Sequence, residues 1–157
     1  MNLAPDDLPL ENVDIGDLAQ SLGFLLRISQ VKIFRAYFRH LGKFDLMPAE
    51  FSILWVLHLN PGLKQGAIAQ SLSIKPAHMT KLIQKLVTGG YVERCVPEGD
   101  RRSVLLSLTP VGETFIAENA KVFIDLHQLA PGNLDRDELA ELTRLLRKYS
   151  GHDGGLA

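Results

Sequence analysis

The chain of 157 residues is 46% hydrophobic and 22% charged, and it has a net charge of −1 at neutral pH. This length suits a single hydrophobic core, and this composition is typical of a globular protein. One cysteine excludes an intramolecular disulfide, and the longest apolar runs are far shorter than the ~20 residues that span a bilayer. Because the first residues also lack the basic and apolar segments of a signal peptide, we expect a cytoplasmic protein that does not enter a membrane.

The charges are unevenly distributed along the chain. Residues 1–17 carry five acidic and no basic side chains, and we interpret residues 1–13 as a flexible acidic tail. Residues 64–102 carry seven basic and three acidic side chains, which gives a net charge of +4. Clustered Lys and Arg side chains are what binding to a phosphate backbone requires, although an ordinary solvated surface can have the same composition.

The first half of the chain is predicted to be helical. Apolar residues at helical spacing predict a long first helix over Asp14–Leu41, which Gly42 can end. Pro48 suits the first position of a second, very apolar helix that continues to Leu59. A short third helix is predicted over Lys64–Leu72.

A tight turn then leads to a fourth helix. A residue before proline avoids the α region, so Lys75 is the predicted N-cap and Pro76 the first helical residue. This helix is predicted to bury Met79, Ile83 and Leu86 and to end at Gly89-Gly90.

The second half of the chain is predicted to contain two strands and two helices. Tyr91–Val96 and Ser103–Leu108 are predicted to be the strands of a hairpin with a polar tip. Thr109 is the predicted cap of a helix that runs to about Leu129, and Asp135 is the predicted cap of the last helix, which Gly151 closes. The predicted buried stripe of the last helix consists of Leu139, Leu142, Leu145, Leu146 and Tyr149.

Helix, tight turn, helix and hairpin together predict a helix-turn-helix followed by a wing, in a mainly α fold with a small β-hairpin (α+β). In such a fold the second helix presents its outer face to the major groove, and a basic hairpin tip can reach an adjacent minor groove. The side chains at these places are donors, acceptors or small groups that suit base edges and phosphates. The candidate DNA-binding residues are Lys64, Lys75, Ala77, His78, Thr80, Lys81, Gln84, Lys85, Asp100, Arg101 and Arg102.

Three segments resemble the MarR family, the multiple antibiotic resistance regulators. They are LGFLLR at residues 22–27, LMPAEF at 46–51, and GDRRS at 99–103, with LSLTP following at 106–110. The resemblance covers roughly residues 18–149, nearly the whole chain.

The resemblance implies different roles for different parts of the chain. The first and last two helices, at residues 14–47 and 109–150, pair two copies into a homodimer, and a winged helix-turn-helix domain at 48–108 binds DNA. The family consists of transcriptional regulators, so we expect a repressor that binds a pseudo-palindromic operator in duplex DNA and is released by a small effector. By the same resemblance, Arg102 enters the minor groove while Asp100 holds its guanidinium in place.

The chain departs from the family at two helix starts. Many relatives have Ser, Thr or Asp where this chain has Lys64 and Lys75, and lysine cannot accept a hydrogen bond from the free N–H groups of a helix. Either these lysines and N–H groups share a DNA phosphate, or water or a neighbour such as Ser73 supplies the cap.

An effector pocket is expected between the dimer helices and the DNA-binding lobe. Aromatic side chains with arginines nearby suit an aromatic carboxylate or its thioester, although aromatic residues at helical spacing commonly belong to a core. The candidate pocket residues are Phe24, Arg27, Arg35, Phe38, Trp55 and His58. No cofactor is expected.

Other function classes are less consistent with the sequence. An enzyme is the weakest of them, because we find no nucleophile elbow, glycine-rich phosphate loop or metal-binding motif. A winged helix used for protein–protein contact would expose apolar anchors where this chain has polar and basic side chains. Redox sensing needs a low thiol pKa at Cys95, and metal sensing needs spatial grouping of the five histidines, none of which has ligand spacing.

Overall fold

The structure is a computed structural model that describes residues 13–97, 103–126 and 134–151. Its described helices are α1 (Leu22–Leu41), α2 (Pro48–Leu59), α3 (Gln65–Ser71), α4 (Pro76–Thr88), α5 (Pro110–Ile124) and α6 (Arg136–Ser150). Strands β1 (Leu63–Lys64), β2 (Val92–Cys95) and β3 (Leu105–Leu108) form an antiparallel sheet in the order β1-β3-β2. The predicted mainly helical architecture with a small sheet is therefore confirmed.

Prolines and polar caps start the helices at the predicted positions. Pro48, Pro76 and Pro110 each occupy a first helical position, where the missing N–H costs nothing. The Thr109 hydroxyl accepts a hydrogen bond from an N–H of the first turn of α5, at 3.2 Å. Asp135 caps α6 in the predicted capping box.

The first α-helix begins later than predicted. A carboxylate oxygen of Asp14 accepts a hydrogen bond from the N–H of Gly16 at 2.8 Å, and Gly16 has a positive φ of 50°. Such a local side-chain bond competes with the helical pattern, so Gly16–Gln20 form a 3-10 helix instead. An extended Ser21 separates that 3-10 helix from α1.

The sheet contains a strand that the sequence did not predict. Leu63 lies opposite Leu106 and Lys64 opposite Leu105, so β1 adds a third strand to the wing hairpin. Lys64 therefore ends a strand, and the helix predicted over Lys64–Leu72 begins at Gln65. Two residues are too few to display the alternation by which a strand is recognised in a sequence.

One core joins α1, α2 and α5. The ring of Phe51 stacks on that of Phe123 with their centroids 4.1 Å apart, and Tyr37 meets Phe123 edge-on at 6.1 Å. Phe115 of α5 makes further ring contacts with Phe44 and Tyr91. The second half of α1 is thus packed into the same core as α2 and α5.

The start of α5 is fitted closely against the strand-helix junction before it. A Cβ placed on Gly112 would lie 2.2 Å from the carbonyl oxygen of Tyr91, which no real contact allows. Thr109 strengthens this junction, because its N–H donates to Tyr91 O at 3.0 Å and its hydroxyl donates to Gly90 O at 2.6 Å. α5 ends at Ile124 rather than near Leu129, and residues 127–133 lie outside the described parts of the chain.

Apolar stripes remain uncovered at both ends of the described chain. The last helix has no buried residue: of its predicted buried stripe, Leu142, Leu145 and Tyr149 are exposed, from 41% to 70%, and Leu139 and Leu146 are half-buried. The physical reason is that, among the elements described, none packs extensively on α6. The first part of the chain exposes a similar stripe, which consists of Leu18, Leu22, Leu25 and Ile28.

None of the helices in the described ranges combines the length and the apolar character that crossing a bilayer requires.

Candidate nucleic-acid interface

A tight turn sets the angle between α3 and α4. Ser73 lies in the left-handed region with φ of 52°, and the N–H of Ile74 donates to Ala69 O at 2.9 Å. The two helices are also bridged near their N-terminal ends, because the Gln65 amide donates to the Thr80 hydroxyl at 2.9 Å. This is the predicted helix-turn-helix.

The inner face of α4 is buried and its outer face is open. Met79, Ile83 and Leu86 are fully buried, as predicted. The exposed outer face carries Ala77, His78 and Lys81. This face has one small residue, one imidazole and one amine, a combination that can approach base edges and phosphates.

Two further lysines lie at the starts of the short helices. Lys64 and Lys75 are exposed, both have extended backbone, and neither side chain caps its helix. Among the described residues, no hydrogen bond or ion pair is made by the amines of Lys64, Lys75 or Lys81. These amines are therefore available to an anion.

Lys85 differs from those lysines because its amine is paired within the protein, although 44% of its side chain is exposed. The Nζ atom donates to Asp45 O at 2.6 Å and to a Glu50 carboxylate oxygen at 3.2 Å, and it lies 3.6 Å from the Asp45 carboxylate. Glu50 is only 1% exposed and accepts a second hydrogen bond from Met47 N at 2.7 Å. Of the DNA-binding candidates described, Lys85 is the one whose charge is used within the protein.

Gln84 connects the wing to α4, the second helix of the helix-turn-helix, which we call the recognition helix. Its side-chain oxygen accepts a hydrogen bond from the Arg94 guanidinium on β2 at 3.3 Å, and its amide donates to Thr88 at 3.4 Å. Arg94 was not among the candidate residues. Residues two apart in a strand share a face, so Arg94 lies on the same face of β2 as the buried Val92, beside α4, although it is itself exposed.

The wing tip falls outside the described ranges. Asp100, Arg101 and Arg102 are not described, so their roles stay predictions. The strands that lead to the tip pair up to Cys95 opposite Leu105.

The predicted effector residues are distributed over two places. Trp55 is half-buried on α2 and its ring centroid lies 6.0 Å from that of His58, whose Nδ1 is 2.6 Å from a carboxylate oxygen of Glu113 on α5. Phe38 packs edge-on against Tyr37 at 5.4 Å, as a core aromatic residue does. The other three candidates lie on α1, where Phe24 is half-buried and Arg27 and Arg35 are exposed.

A cavity of about 820 Å³ lies elsewhere, between the loop after α1 and the C-terminal half of α4. Phe44 and Tyr91 form aromatic parts of its lining, and Asp45, Lys81 and Lys85 contribute charges. None of the predicted effector residues lines it. No pattern in the sequence predicts this cavity, because its walls come from segments that are far apart in the chain.

A cysteine and a tyrosine bear on redox and acid–base chemistry. Cys95 is exposed and unpaired, and burial, followed by the charge of Glu50, raises the pKa of the Tyr37 hydroxyl. Tyr37 therefore stays neutral and donates to Leu46 O at 2.7 Å. Across the three described ranges, no group of three or more His, Cys, Asp or Glu side chains is arranged to hold a metal ion.

Comparisons with known proteins agree with this geometry. The sequence model of the MarR family matches residues 46–104. The chain is 32% identical to the multiple antibiotic resistance protein MarR of Escherichia coli over 129 residues, which covers 81% of this chain and 89% of that protein. It is 28% identical over 150 residues to a putative transcriptional regulatory protein for the hcr operon of Thauera aromatica, covering 95% of this chain and 90% of the relative.

A solved structure gives the same picture in three dimensions. The transcriptional repressor CouR, bound to a 23-mer DNA duplex, superimposes with a TM-score of 0.80 at 29% identity, over 89% of this chain and 99% of that chain. Fold, recognition helix and identity over most of the length lead to one conclusion. The chain belongs to the MarR family and is a DNA-binding transcriptional regulator with a winged helix, not an enzyme.

Proposed function

We propose that this protein is a repressor that binds a pseudo-palindromic operator in duplex DNA as a homodimer and leaves it when a small effector binds. The observation that carries the proposal is the open outer face of α4, with Ala77, His78 and Lys81 exposed above a fully buried inner face. The likeness to CouR, a repressor bound to a DNA duplex, supports it.

The homodimer is supported by the uncovered apolar stripes. Leu22 and Leu25 on α1 and Leu142 and Leu145 on α6 are each more than two-fifths exposed, although each buried Å² of apolar surface gains roughly 25 cal/mol. Pairing across a two-fold axis would cover both stripes at once. The two recognition helices would then lie about one DNA turn apart, ~34 Å.

The proposed DNA contacts combine base-reading and phosphate-binding residues. On α4 we assign Ala77, His78, Thr80, Lys81 and Gln84 to the major groove, and we assign Lys64 and Lys75 to phosphates. From the sequence we assign the wing residues Asp100, Arg101 and Arg102 to the minor groove. We add Arg94 to the proposed DNA contacts because its guanidinium lies beside α4. Lys85 is not among them, because its amine is bound to internal acceptors.

The effector is proposed to be an aromatic carboxylate or its thioester. Trp55 supports the aromatic part of this assignment, since its ring is half-buried and lies beside His58 at the contact between α2 and α5. A ligand at this place can release DNA only by binding one arrangement of the dimer more tightly than the other.

The test is recovery of DNA by the purified full-length protein from a library of genomic fragments. We expect enrichment of fragments that contain an inverted repeat, and loss of binding when an aromatic acid is added. Recovery of no preferred sequence would favour a protein-interaction module. Release by peroxide, absent in Cys95→Ser, would indicate a redox-sensing regulator instead.

A further inference from the structure

Besides its buried apolar face, the recognition helix has one ammonium group that connects it to the segment before and at the start of α2. Lys85 lies on the third turn of α4, and its Nζ atom is within 3.2 Å of two acceptors, Asp45 O and a Glu50 carboxylate oxygen. The Asp45 carboxylate is a third oxygen at 3.6 Å. An ammonium has three donors, of which these hydrogen bonds use two, and the nearby carboxylates balance its charge.

The segment that Lys85 binds is held in place by hydrogen bonds from α1 and from within the start of α2. Asp45 has a positive φ of 54°, which directs its carbonyl towards the lysine in a conformation that few non-glycine residues adopt. The following residues are fixed from the other side, because the buried Tyr37 hydroxyl donates to Leu46 O at 2.7 Å. Met47 N donates to a Glu50 carboxylate oxygen at 2.7 Å, which joins the residue before α2 to the first turn of that helix.

Together these contacts form a continuous path from α1 to α4. Tyr37 belongs to α1, whose first half carries an uncovered apolar stripe, and Lys85 belongs to the recognition helix. Between them lies the short segment 45–50, which we call the tether. The carboxylate of Glu50 within it is almost fully buried, so it depends on Lys85 for a counter-charge.

We propose that Lys85 is a positioning residue that fixes the recognition helix relative to α1 through the tether, and so makes operator binding selective for half-site spacing. The inference rests on the proposed function, since spacing has meaning only for a dimer on a two-part operator. Helix α1 carries the stripe at which two copies are proposed to pair, so a fixed α1–α4 arrangement fixes the distance between the two recognition helices. The lysine itself does not touch DNA.

The first test compares binding to three duplexes by fluorescence anisotropy. One is the recovered operator, and the others have one base pair added or removed between half-sites, which displaces them by ~3.4 Å and rotates them by ~35°. The full-length variants are Lys85→Met and Glu50→Gln, with Lys75→Met as a control at the exposed start of the same helix, where a phosphate contact is proposed.

We expect Lys85→Met and Glu50→Gln to reduce the preference for the native spacing by about fivefold or more and to leave the salt dependence of binding unchanged. We expect Lys75→Met to keep the preference and to lower the salt dependence, by about one unit for each phosphate that is no longer neutralised. A lowered salt dependence in Lys85→Met with unchanged preference would show that Lys85 binds a phosphate and would overturn the inference.

The double variant Lys85→Met/Glu50→Gln distinguishes a general loss of stability from a loss of helix positioning. The single variant Lys85→Met leaves a buried carboxylate without its counter-charge, whereas the double variant removes that charge as well. We therefore expect the melting temperature to recover in the double variant while spacing preference stays reduced. If spacing preference recovers together with the melting temperature, the effect is one of stability and the inference is wrong.

A measurement without DNA tests the same point. A spin label at Ala77→Cys, in a Cys95→Ser background, reports the distance between the two recognition helices of the dimer. We expect a narrow distribution in the parent protein and a broader one after Lys85→Met. Equal widths would overturn the inference even where the proposed operator is confirmed. A monomeric parent protein would instead refute the proposed function.

Discussion

Replacing Gly112 by alanine tests the fit of α5 against the DNA-binding lobe. The added Cβ would lie 2.2 Å from Tyr91 O, whereas an ordinary carbon–oxygen contact is about 3.3 Å or longer, so α5 must move by roughly 1 Å. The obstacle is a backbone oxygen that also accepts from Thr109 N, so it cannot turn aside as a flexible side chain would. Overpacking of this kind costs about 1–3 kcal/mol.

Because the obstacle is backbone, we expect the clash alone to lower the free energy of unfolding by an amount near the upper end of that range. Alanine in a helix gains roughly 0.5–1 kcal/mol over glycine, which leaves a net loss of about 2 kcal/mol. The assay is urea unfolding followed by circular dichroism at one fixed protein concentration, since unfolding of a dimer depends on concentration. Gly66→Ala in α3 is the matched control, because a Cβ there meets nothing within 4 Å. The control should be neutral or stabilising, and equal behaviour of the two variants would refute the reasoning.

Three further predictions concern DNA binding and assembly. Lys81→Ala should cost about 1–3 kcal/mol per half-site and relax the preference at one base position, and equal weakening on all sequences would make Lys81 a phosphate contact only. Arg102→Ala should weaken operator binding while the circular dichroism spectrum stays unchanged. Arg102→Lys should not restore the affinity fully, because an ammonium lacks the planar fork of guanidinium. Wild-type affinity in Arg102→Ala would show that the wing is not part of the interface. Leu142→Glu should convert the protein to a monomer in light scattering at micromolar concentration, because it places a charge in the proposed dimer contact. Glu138→Gln on the first turn of α6 is the control, since it leaves the apolar stripe intact. A dimeric Leu142→Glu would contradict the proposed pairing.

The features that the sequence predicted well are those controlled by local chemistry. Pro48, Pro76 and Pro110 start helices because a proline lacks the N–H that a first turn leaves free, and that preference is visible without any tertiary contact. The buried face of α4 follows from the spacing of Met79, Ile83 and Leu86, which also determines its open face.

The features that it missed depend on distant partners. Lys85 was placed with the DNA-facing side chains, because nothing within α4 reveals that Glu50, 35 residues earlier, is buried and needs a cation. Strand β1 exists because β3 lies beside it, and two residues hold no pattern of their own. The stripe on α6 was expected to be buried, and it is apolar as predicted, but no element among the described residues covers it.

The effector site shows the same limit. Trp55 and His58 are neighbours on one helix and were predicted together, whereas the cavity beside α4 is assembled from two distant segments, 44–46 and 80–91, and was not predicted. Spacing along a helix can be read from a sequence, but the distance between elements cannot.

The central claim is that a dimer of this chain recognises a specific two-part DNA sequence. Its most direct test is to select duplexes from a random-sequence library with the purified protein and to measure the affinity of the enriched sequence against unrelated DNA at one salt concentration. We predict an inverted repeat whose half-sites are centred one helical turn apart, bound about a thousandfold or more tightly than unrelated DNA. Enrichment of no sequence, or binding that differs little between the two duplexes, would contradict it.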